Sequence, residues 1–400
     1  MSPQIALLTG GGDRPYALGL AYSLIEAGVS LDFIGSDFLE DPLLRRLPQV
    51  RFLNLRGDMR PGAPLLERMM RVLRYYVRLF AYAATSNARI FHILWNNKFE
   101  HFDRTLLLVY YRVLGKRIAY TVHNVNIRER DGGDGVVNRL TLRIQYSLAD
   151  HLFVHTERMK GELQSAFGVP GRKVSVIPFG INNTTPLTSL TSEEARRRLG
   201  LDASHKVLLF FGNIAPYKGV ADLVKAFSVV ARNMPECRLI IAGRQKGSEA
   251  YWATVNDLID SLHLADRILR RIEYVPDAEI ETYFKAADAL VLPYTHVFQS
   301  GVLFLGYFFG LPVVASDIAS IKEDVIEGRT GHLCAAGDPG SIAGAILRVF
   351  TGGMLQNREA AREFIKAYAQ DRYSWTRVAA ITKTAYASML RVTDREAGLK

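Results

Sequence analysis

Residues 207–219 read VLLFFGNIAPYKG, an apolar run that ends in a glycine-rich loop with Lys218 before its last glycine. An apolar run of this length bounded by glycine predicts a buried strand, and the apolar periodicity of residues 220–232 predicts a helix after the loop. The amides at the start of a helix and a lysine side chain both attract anions. The stretch therefore predicts a strand, an anion-binding turn and a helix, with Lys218 suited to a diphosphate.

Lys218 also has a plainer interpretation, as a solvated lysine on the surface. The loop does not have the spacing of a Walker loop, which requires four residues between its first glycine and the Gly-Lys pair. The sequence of the loop therefore does not decide whether Lys218 binds a diphosphate or is a solvated surface lysine.

The alternation of strand and helix continues along the chain and restarts once. Apolar runs predict strands in the first half at 4–9, 30–35, 90–94, 117–122 and 151–155. They predict strands in the second half at 207–211, 238–242, 268–274, 289–292 and 312–315. Parallel strands joined by crossover helices require this pattern. The predicted fold class is α/β, with two Rossmann-like doubly wound domains facing each other across a cleft.

The predicted domain boundary lies where the chain becomes rich in Asn, Thr, Pro and Ser, around residues 182–190. After it, Thr191 and Glu194 form a capping-box pattern that predicts a short helix at 192–199. We expect a final helix over residues 358–390, and packing back on the first domain is one option for it. The predicted segments are a domain at 1–182, a linker at 183–205, a domain at 206–370 and a C-terminal helix at 371–400.

The composition is that of a globular protein that is large enough for two domains: 400 residues, 48% hydrophobic and 22% charged. A net charge of +10 favours anionic partners such as nucleotides or phospholipid surfaces, without choosing among them. Two cysteines support neither a disulfide framework nor a metal cluster, and no apolar run reaches the ~18 residues of a membrane span. Because no export signal is evident either, the cytoplasm is the expected location.

A second candidate anion site begins at Ser300, after the strand predicted at 289–292. Ser300 and Gly301 would expose backbone amides at the start of an unusually apolar helix near 301–309. Two such sites in the same half could clamp one diphosphate. The alternative is that Ser300 only caps the helix.

The first half offers further candidates at the ends of its strands. His123 and Asn124 follow a predicted strand, at the edge where open α/β sheets bind ligands, and His123 is either a structural histidine or one that contacts substrate. Gly11 and Gly12 follow the first strand, and they either let amides approach an anion or form a tight turn for packing. Pro15 occupies the third glycine position of the dinucleotide fingerprint, which makes a nicotinamide-dependent dehydrogenase the least favoured enzyme. Arg128 either holds phosphate or belongs to a charged rim.

A basic amphipathic helix is predicted at 68–82. Its arginines at 68, 71, 74 and 78 share one helical face, and apolar residues occupy the others. Such a helix can lie on an anionic membrane surface. The alternative is a packed helix whose arginines face water.

Several separated motifs resemble the retaining glycosyltransferases of family 4, which have the GT-B fold, and the resemblance covers nearly the entire chain. The motifs are at 121–125, 211–219, 286–288, 299–302 and 310–316. The resemblance implies that a nucleoside-diphosphate sugar binds mainly to the second domain and that the acceptor approaches from the first. It also implies retention of the anomeric configuration without a bound metal or other cofactor.

The resemblance implies roles for individual positions. Lys218 and the amides of residues 300–302 would hold the diphosphate, His123 would lie near the transferred sugar, and backbone near Tyr274 would meet the base. The proposed catalytic residues are His123 and Lys218. The donor-binding set is Gly212, Asn213, Tyr274, Gln299, Ser300, Gly301, Val302 and Glu323. The acceptor-side or phosphate-proximal set is Gly11, Gly12, Asn124 and Arg128.

The chain departs from the family pattern at two places. Asn213 stands where family members commonly have an arginine, so that one positive charge is missing. The paired glutamates of the family fall near Val297 and Leu305, and neither residue is acidic. A subset of the family looks similar, with Gln-Ser-Gly in this turn, and Gln299 is a candidate replacement for one glutamate. Glu323 resembles a separate family glutamate.

The leading hypothesis is transfer of a hexosyl unit from a nucleoside-diphosphate sugar to a hydroxyl of a saccharide or a lipid-linked acceptor. Lys218 and the helix amides would stabilise the departing diphosphate. Two alternatives remain open: a non-catalytic protein that binds nucleotide sugars, and a sugar-nucleotide epimerase that needs no acceptor. No nucleic-acid partner is expected.

Overall fold

A computed structural model of the protein describes residues 4–58, 64–126, 128, 133–181, 185–245, 249–297, 300–318 and 321–397, with side chains up to 391. The chain divides into two compact units. The first unit is Met1–Gly180 with Tyr373–Lys400, and the second unit is Ile181–Arg372. Across the described residues, no helix combines the length and the apolar character needed to cross a bilayer.

The first unit contains a parallel sheet covered by helices on both faces. Its strands are β1 (Ile5–Leu8), β2 (Leu31–Gly35), β3 (Val50–Asn54), β4 (Ile90–Ile93), β5 (Arg117–Thr121), β6 (His151–Val154) and β7 (Val174–Val176). They lie in the order β3-β2-β1-β4-β5-β6-β7. Its helices include α1 (Arg14–Glu26), α2 (Pro42–Arg46), α3 (Leu65–Thr85), α4 (the consecutive segments Glu100–Phe102, Asp103–Leu107 and Leu108–Val113), α5 (Val136–Leu148) and α6 (Glu157–Phe167).

Alternate residues of the strands pack into two separate hydrophobic cores in this unit. Ala6 and Leu8 of β1 join a core with α3, α4 and α5, whereas Ile5 and Leu7 join a core with α1. This alternation follows from the period of two residues along a strand. The helices α3, α4 and α5 therefore form a layer on one face of the sheet.

The second unit repeats this plan with six strands. They are β8 (Lys206–Phe211), β9 (Cys237–Ala242), β10 (Ile268–Arg271), β11 (Ala289–Leu292), β12 (Val313–Ser316) and β13 (Gly331–Cys334). They lie in the order β10-β9-β8-β11-β12-β13 and pair in parallel. Its helices are α7 (Ser192–Arg198), α8 (Val220–Asn233), α9 (Glu249–Ser261), α10 (Asp277–Ala286), α11 (Gly301–Phe308), α12 (Ile321–Asp324), α13 (Pro339–Thr351) and α14 (Arg358–Tyr373).

A buried ion pair fixes the amino end of β11 in the second unit. The guanidinium of Arg196 on α7 donates to both carboxylate oxygens of Asp288 at 2.9 Å, and the amide of Val207 donates to the same carboxylate at 2.8 Å. Asp288 belongs to the family-like motif at 286–288. Because the amino ends of parallel strands lie opposite the ligand-binding edge, its role here is structural.

The final helix, α15 (Trp375–Ala397), belongs to the first unit and packs on α1. The indole of Trp375 fills the space beside two glycines: a Cβ on Gly19 would lie 2.3 Å from its ring, and one on Gly180 would lie 2.4 Å from it. The prediction of one helix across 358–390 was wrong, because Ser374 separates α14 from α15.

The prediction of two Rossmann-like parallel-sheet domains is confirmed. The strands β3, β7 and β13 were missed, and all three lie at sheet edges. An edge strand is covered less completely than a central one, so its sequence lacks the continuous apolar run that marks a buried strand. The β3 segment shows this, since four of its five residues are half-buried and Arg51 is exposed.

Candidate functional site

Each sheet has one point where the strand order reverses direction, and the loops that follow the strands there are the expected ligand site of a doubly wound fold. In the first unit it lies between β1 and β4, and in the second unit between β8 and β11. The sequence candidates follow β8 and β11 in the second unit, and they follow β1 and β5 in the first.

Lys218 lies against the loop that follows β11. It ends a short 3-10 helix, Pro216–Lys218, and its Nζ is 3.6 Å from the centroid of the Tyr294 ring. The Tyr294 ring is fully buried, so that the ammonium rests on a fixed aromatic face. The structure therefore does not support a lysine that extends freely into solvent.

Two backbone contacts lock the β8 loop to the β11 loop. The amide of Thr295 donates to the carbonyl of Tyr217 at 2.9 Å. Gly219 has a φ of +68°, and a Cβ there would lie 1.9 Å from the carbonyl oxygen of Pro293. Any side chain at 219 would separate the two loops, so this glycine fixes Lys218 relative to β11.

The start of α11 reaches the same loops. A Cβ on Gly212 would lie 3.4 Å from Cγ2 of Val302 in the first turn of α11. Ser300 is the residue before the helix, but its side chain makes no capping hydrogen bond. The alternative that Ser300 merely caps α11 is therefore wrong.

Two buried hydroxyl groups lie next to each other at this position, and neither makes a hydrogen bond of good geometry among the described residues. They belong to Ser300 and Tyr294. Leaving a buried polar group unsatisfied costs about 1–3 kcal/mol, and a ligand is one explanation for such a group. Together with Lys218 and the amides at the start of α11, they form a compact group that can donate hydrogen bonds to an anion.

Arg244 is a site residue that the sequence reasoning missed. Gly243 follows β9 with a φ of +148°, and a Cβ there would lie 1.8 Å from the carbonyl oxygen of Gly212. This close approach brings Arg244 beside the β8 loop, where the amide of Ile214 donates to its carbonyl at 2.9 Å. The Arg244 guanidinium carbon is 5.9 Å from the ring centroid of Tyr274. The available signal was a basic residue directly after a strand and a glycine.

The remaining donor-side candidates are only partly brought together. Asn213 is half-buried in the β8 loop, and Tyr274 is exposed beside Arg244. Glu323 is exposed on the short helix α12, where its carbonyl accepts a hydrogen bond from Arg372 at 3.1 Å, and no described contact joins it to Lys218. Gln299 lies outside the described residues. The departure positions Val297 and Leu305 are both buried apolar residues.

In the first unit, His123 is stacked face to face on Trp95, with ring centroids 4.3 Å apart. Its Nδ1 is 3.1 Å from Nε2 of His155, and Nδ1 of His155 is 3.3 Å from the carbonyl oxygen of Ile177. Burial lowers the pKa of His123 well below its ordinary value and lowers the pKa of His155 to about 4. Both rings are therefore neutral near pH 7.

These contacts assign the tautomer of each ring. A carbonyl can only accept, so Nδ1 of His155 carries the proton and its Nε2 accepts from Nδ1–H of His123. Nε2 of His123 then carries a lone pair and is buried, with the Leu94 backbone close to the same ring. His123 is thus prepared to accept a hydrogen bond from a hydroxyl.

The glycine turn after β1 packs against Trp95. A Cβ on Gly12 would lie 2.1 Å from the Trp95 ring, and Gly11 has a φ of +75°. The Asp13 carboxylate caps α1 by accepting from the amide of Tyr16 at 2.9 Å, which already places a negative charge where an anion would bind. The structure favours the tight-turn alternative over an anion site at Gly11 and Gly12.

Two other candidates in the first unit, Asn124 and Arg128, are less suited to binding a phosphate. Asn124 is half-buried directly after His123. Arg128 pairs with Glu100 at 3.5 Å, and Arg104 pairs with the same carboxylate at 3.2 Å. This pairing favours the charged-rim alternative for Arg128. In the part of the chain that the structure describes, no three His, Cys, Asp or Glu side chains are grouped so as to hold a metal ion.

Comparison with known proteins assigns both units. The family model "Glycosyltransferase Family 4" matches residues 10–184, and the model "Glycosyl transferases group 1" matches residues 205–370. D-inositol 3-phosphate glycosyltransferase from Corynebacterium urealyticum is 27% identical over 301 residues, which are 74% of this chain and 67% of that protein. The enzyme of the same name from Corynebacterium glutamicum is 23% identical over 389 residues, 94% of this chain and 91% of that protein.

Solved structures show the same fold. Sucrose-phosphate synthase from Thermosynechococcus elongatus has a TM-score of 0.76 at 18% identity, over 98% of this chain and all of that one. HepE from Anabaena, solved in complex with UDP and glucose, has a TM-score of 0.73 at 17% identity, over 96% of this chain and all of that one.

The two parallel-sheet units and these matches define the class: the chain is a glycosyltransferase of the GT-B type. It belongs to the GT-B glycosyltransferase family that joins a family 4 domain to a group 1 domain. The resemblance drawn from the motifs is confirmed at this level. Membership of a subset that lacks the paired glutamates stays a prediction.

Proposed function

We propose that this glycosyltransferase moves a hexosyl unit from a nucleoside-diphosphate sugar to a hydroxyl of a saccharide or lipid-linked acceptor, with retention of configuration. The proposal is carried by two approaches at the reversal point of the second sheet: Lys218 packs on Tyr294 in the loop before α11, and Gly212 lies against Val302 in the first turn of α11. An ammonium, two neighbouring buried hydroxyls and the amides at the start of a helix belong to these segments, and a diphosphate matches that set.

The diphosphate becomes more negative as the bond to the sugar breaks, so donors aimed at it stabilise the transition state more than the ground state. Lys218 supplies a full positive charge, and the start of α11 supplies amides and the positive end of its dipole. We propose that these groups act without a bound metal. HepE, which shares the fold, was solved with UDP and glucose, which supports a nucleotide-sugar donor.

In the first unit, the residue proposed to bind substrate is His123. Its Nε2 lone pair accepts a hydrogen bond from a hydroxyl, which orients the sugar or the acceptor. The acceptor oxygen forms its bond to the anomeric carbon on the face from which the diphosphate departs. The acceptor proton passes to the departing phosphate oxygen, so the step needs no separate carboxylate base.

We also propose that α3 lies on an anionic membrane surface. Tyr75 and Leu79 face the core, but a second apolar face of α3 is exposed, and it includes Leu66 and Leu73. Arginines on the remaining face suit an anionic surface, and a helix that packs on a core needs only one apolar face. Flotation with phosphatidylglycerol-containing vesicles, lost in Arg74→Glu, is expected; a parent protein that does not float would refute this part.

The donor is identified by thermal-shift screening with UDP, GDP, ADP and their sugars. A ligand at about 100 times its Kd adds about 2.7 kcal/mol to the free energy of unfolding, so the correct nucleotide stands out. A transfer assay with that donor follows. Binding without hydrolysis or transfer would indicate a non-catalytic protein, and epimerisation without an acceptor would indicate an epimerase. No shift with any nucleotide would refute the proposed function.

A further inference from the structure

The exposed apolar face of α3 that we propose to lie on a membrane also lines an open groove of about 880 Å³ in the first unit. This volume is within the usual range of small-molecule sites, about 300–1,000 Å³. Leucine, methionine and aromatic side chains dominate its lining. They include Leu66, Met69, Met70, Leu73, Tyr76 and Phe99.

Of these side chains, only Tyr76 belongs to the core of the first unit. From 65 to 74, no residue of α3 is buried, and Leu66 and Leu73 are 73% and 58% exposed. Phe99, across the groove, is also exposed and stacks on Tyr76 at 5.5 Å. A contiguous apolar surface of this kind marks a binding site more often than chance exposure does.

Cationic side chains stand at the edge of the groove. Arg56, Arg68 and Lys98 line it, whereas Arg71 is paired with Asp58 at 3.3 Å and with Glu67. A second copy of this chain would bring the same positive charges face to face, which disfavours a symmetric contact here. An anionic amphiphile would satisfy both the apolar lining and the charges.

A short series of contacts joins the groove to the edge of the sheet that holds His123. Arg56 lies 5.5 Å from the ring centroid of Tyr75 and donates a hydrogen bond to the carbonyl of Gly10. Gly10 packs on the Trp95 backbone, and Trp95 stacks on His123. Arg56 at the groove is thus connected to His123 through two packed residues, Gly10 and Trp95.

We propose that the groove binds the hydrocarbon chain of a lipid-linked acceptor whose phosphate lies at Arg56 and whose sugar or alcohol hydroxyl extends toward His123. A saccharide alone fits the groove poorly, because its hydroxyls would lose water without finding enough hydrogen-bond partners. A hydrocarbon chain gains about 0.8 kcal/mol per buried methylene. The acceptor role rests on the proposed function, and it selects the lipid-linked class of acceptor.

The test uses calorimetric titration of the full chain with dodecyl phosphate below its micelle concentration, and with butyl phosphate and inorganic phosphate. Dodecyl phosphate is expected to bind saturably and at least about tenfold more tightly than butyl phosphate. In Leu73→Glu, which changes an exposed side chain, the affinity should fall about tenfold or more. Val136→Glu changes a side chain that is 84% exposed on α5 outside the groove lining, and it should have little effect.

Equal binding of the two alkyl phosphates, or equal losses in Leu73→Glu and Val136→Glu, would overturn the groove, because either result means unspecific adsorption. Nucleoside-diphosphate titration of the same samples separates the two proposals. A protein that binds nucleotide but no dodecyl phosphate refutes the groove alone. A protein that binds dodecyl phosphate but no nucleotide refutes the proposed transfer and the acceptor role.

Discussion

The two units carry glycine-rich turns in equivalent places, after the first strand of each sheet, and the turns differ in what fills the space beside them. In the first unit, the Trp95 ring occupies the space beside Gly12, and Asp13 places a carboxylate at the start of α1. In the second unit, Gly212 and Gly219 let two loops and the start of α11 approach one another.

Glycine directly after a strand thus predicts that another group lies close to the backbone there. It does not predict whether that group is a side chain of the protein or a ligand. Beside the first turn it is an aromatic side chain of the protein, which also supports His123. Beside the second turn stand the Lys218 ammonium, which packs on the Tyr294 ring, and the neighbouring buried hydroxyls of Tyr294 and Ser300. Only the second arrangement combines an ammonium with a helix start that bears no carboxylate, and this combination suits an anionic ligand.

Among the single substitutions considered, Lys218→Ala in the second turn should reduce activity the most. Loss of one preorganised donor to a developing negative charge costs about 10²–10³ in kcat. We expect kcat/KM with the identified donor to fall by that factor. The control is Lys225→Ala, which removes an exposed lysine paired with Asp222 on α8. Equal activity of the two variants would contradict a role for Lys218.

Gly12→Ala should disturb the first turn without touching the donor. A methyl group 2.1 Å from the Trp95 ring forces a rearrangement that costs about 1–3 kcal/mol, measurable by urea denaturation. Gly133→Ala is the control, because no atom lies within 4 Å of its added Cβ. Nucleoside-diphosphate affinity should be unchanged in both; a loss confined to Gly12→Ala would restore the anion site at this turn.

His155→Leu should lower kcat/KM about tenfold, since it removes the acceptor that fixes the His123 tautomer, at about the value of one hydrogen bond. His155→Gln is the conservative control, because its amide can donate to Ile177 and accept from His123. Histidine ¹⁵N shifts report the tautomer directly. If His155→Gln lowers kcat/KM as much as His155→Leu does while the tautomer of His123 is unchanged, the role of His155 is packing and not control of the tautomer.

Arg244→Ala should show the smallest effect. Its guanidinium is exposed beside Tyr274, and exposed charge contacts contribute about 1 kcal/mol or less, so nucleotide affinity should fall about fivefold at most. Arg270→Ala on the neighbouring strand β10 serves as the control, since Arg270 pairs with Asn256. A loss with Arg270→Ala of the same size would mean that only net charge matters.

The sequence predicted the central strands and the loops that follow them, because buried apolar runs and glycine are local signals. It missed the edge strand Val50–Asn54 and the break at Ser374, which depend on tertiary neighbours. It also missed the contact of Arg244 with the β8 loop and the second apolar face of α3. The spacing of residues along the sequence does not determine either feature. Both depend on how the elements of each unit pack in the folded protein.

The most direct test of the diphosphate site is calorimetric titration of the preferred nucleoside diphosphate and its monophosphate into the wild type and Lys218→Ala. Diphosphate binding should weaken at least about tenfold in the variant, while monophosphate binding should change much less. Equal Kd values for the diphosphate in both proteins would contradict a pyrophosphate held between Lys218 and the start of α11.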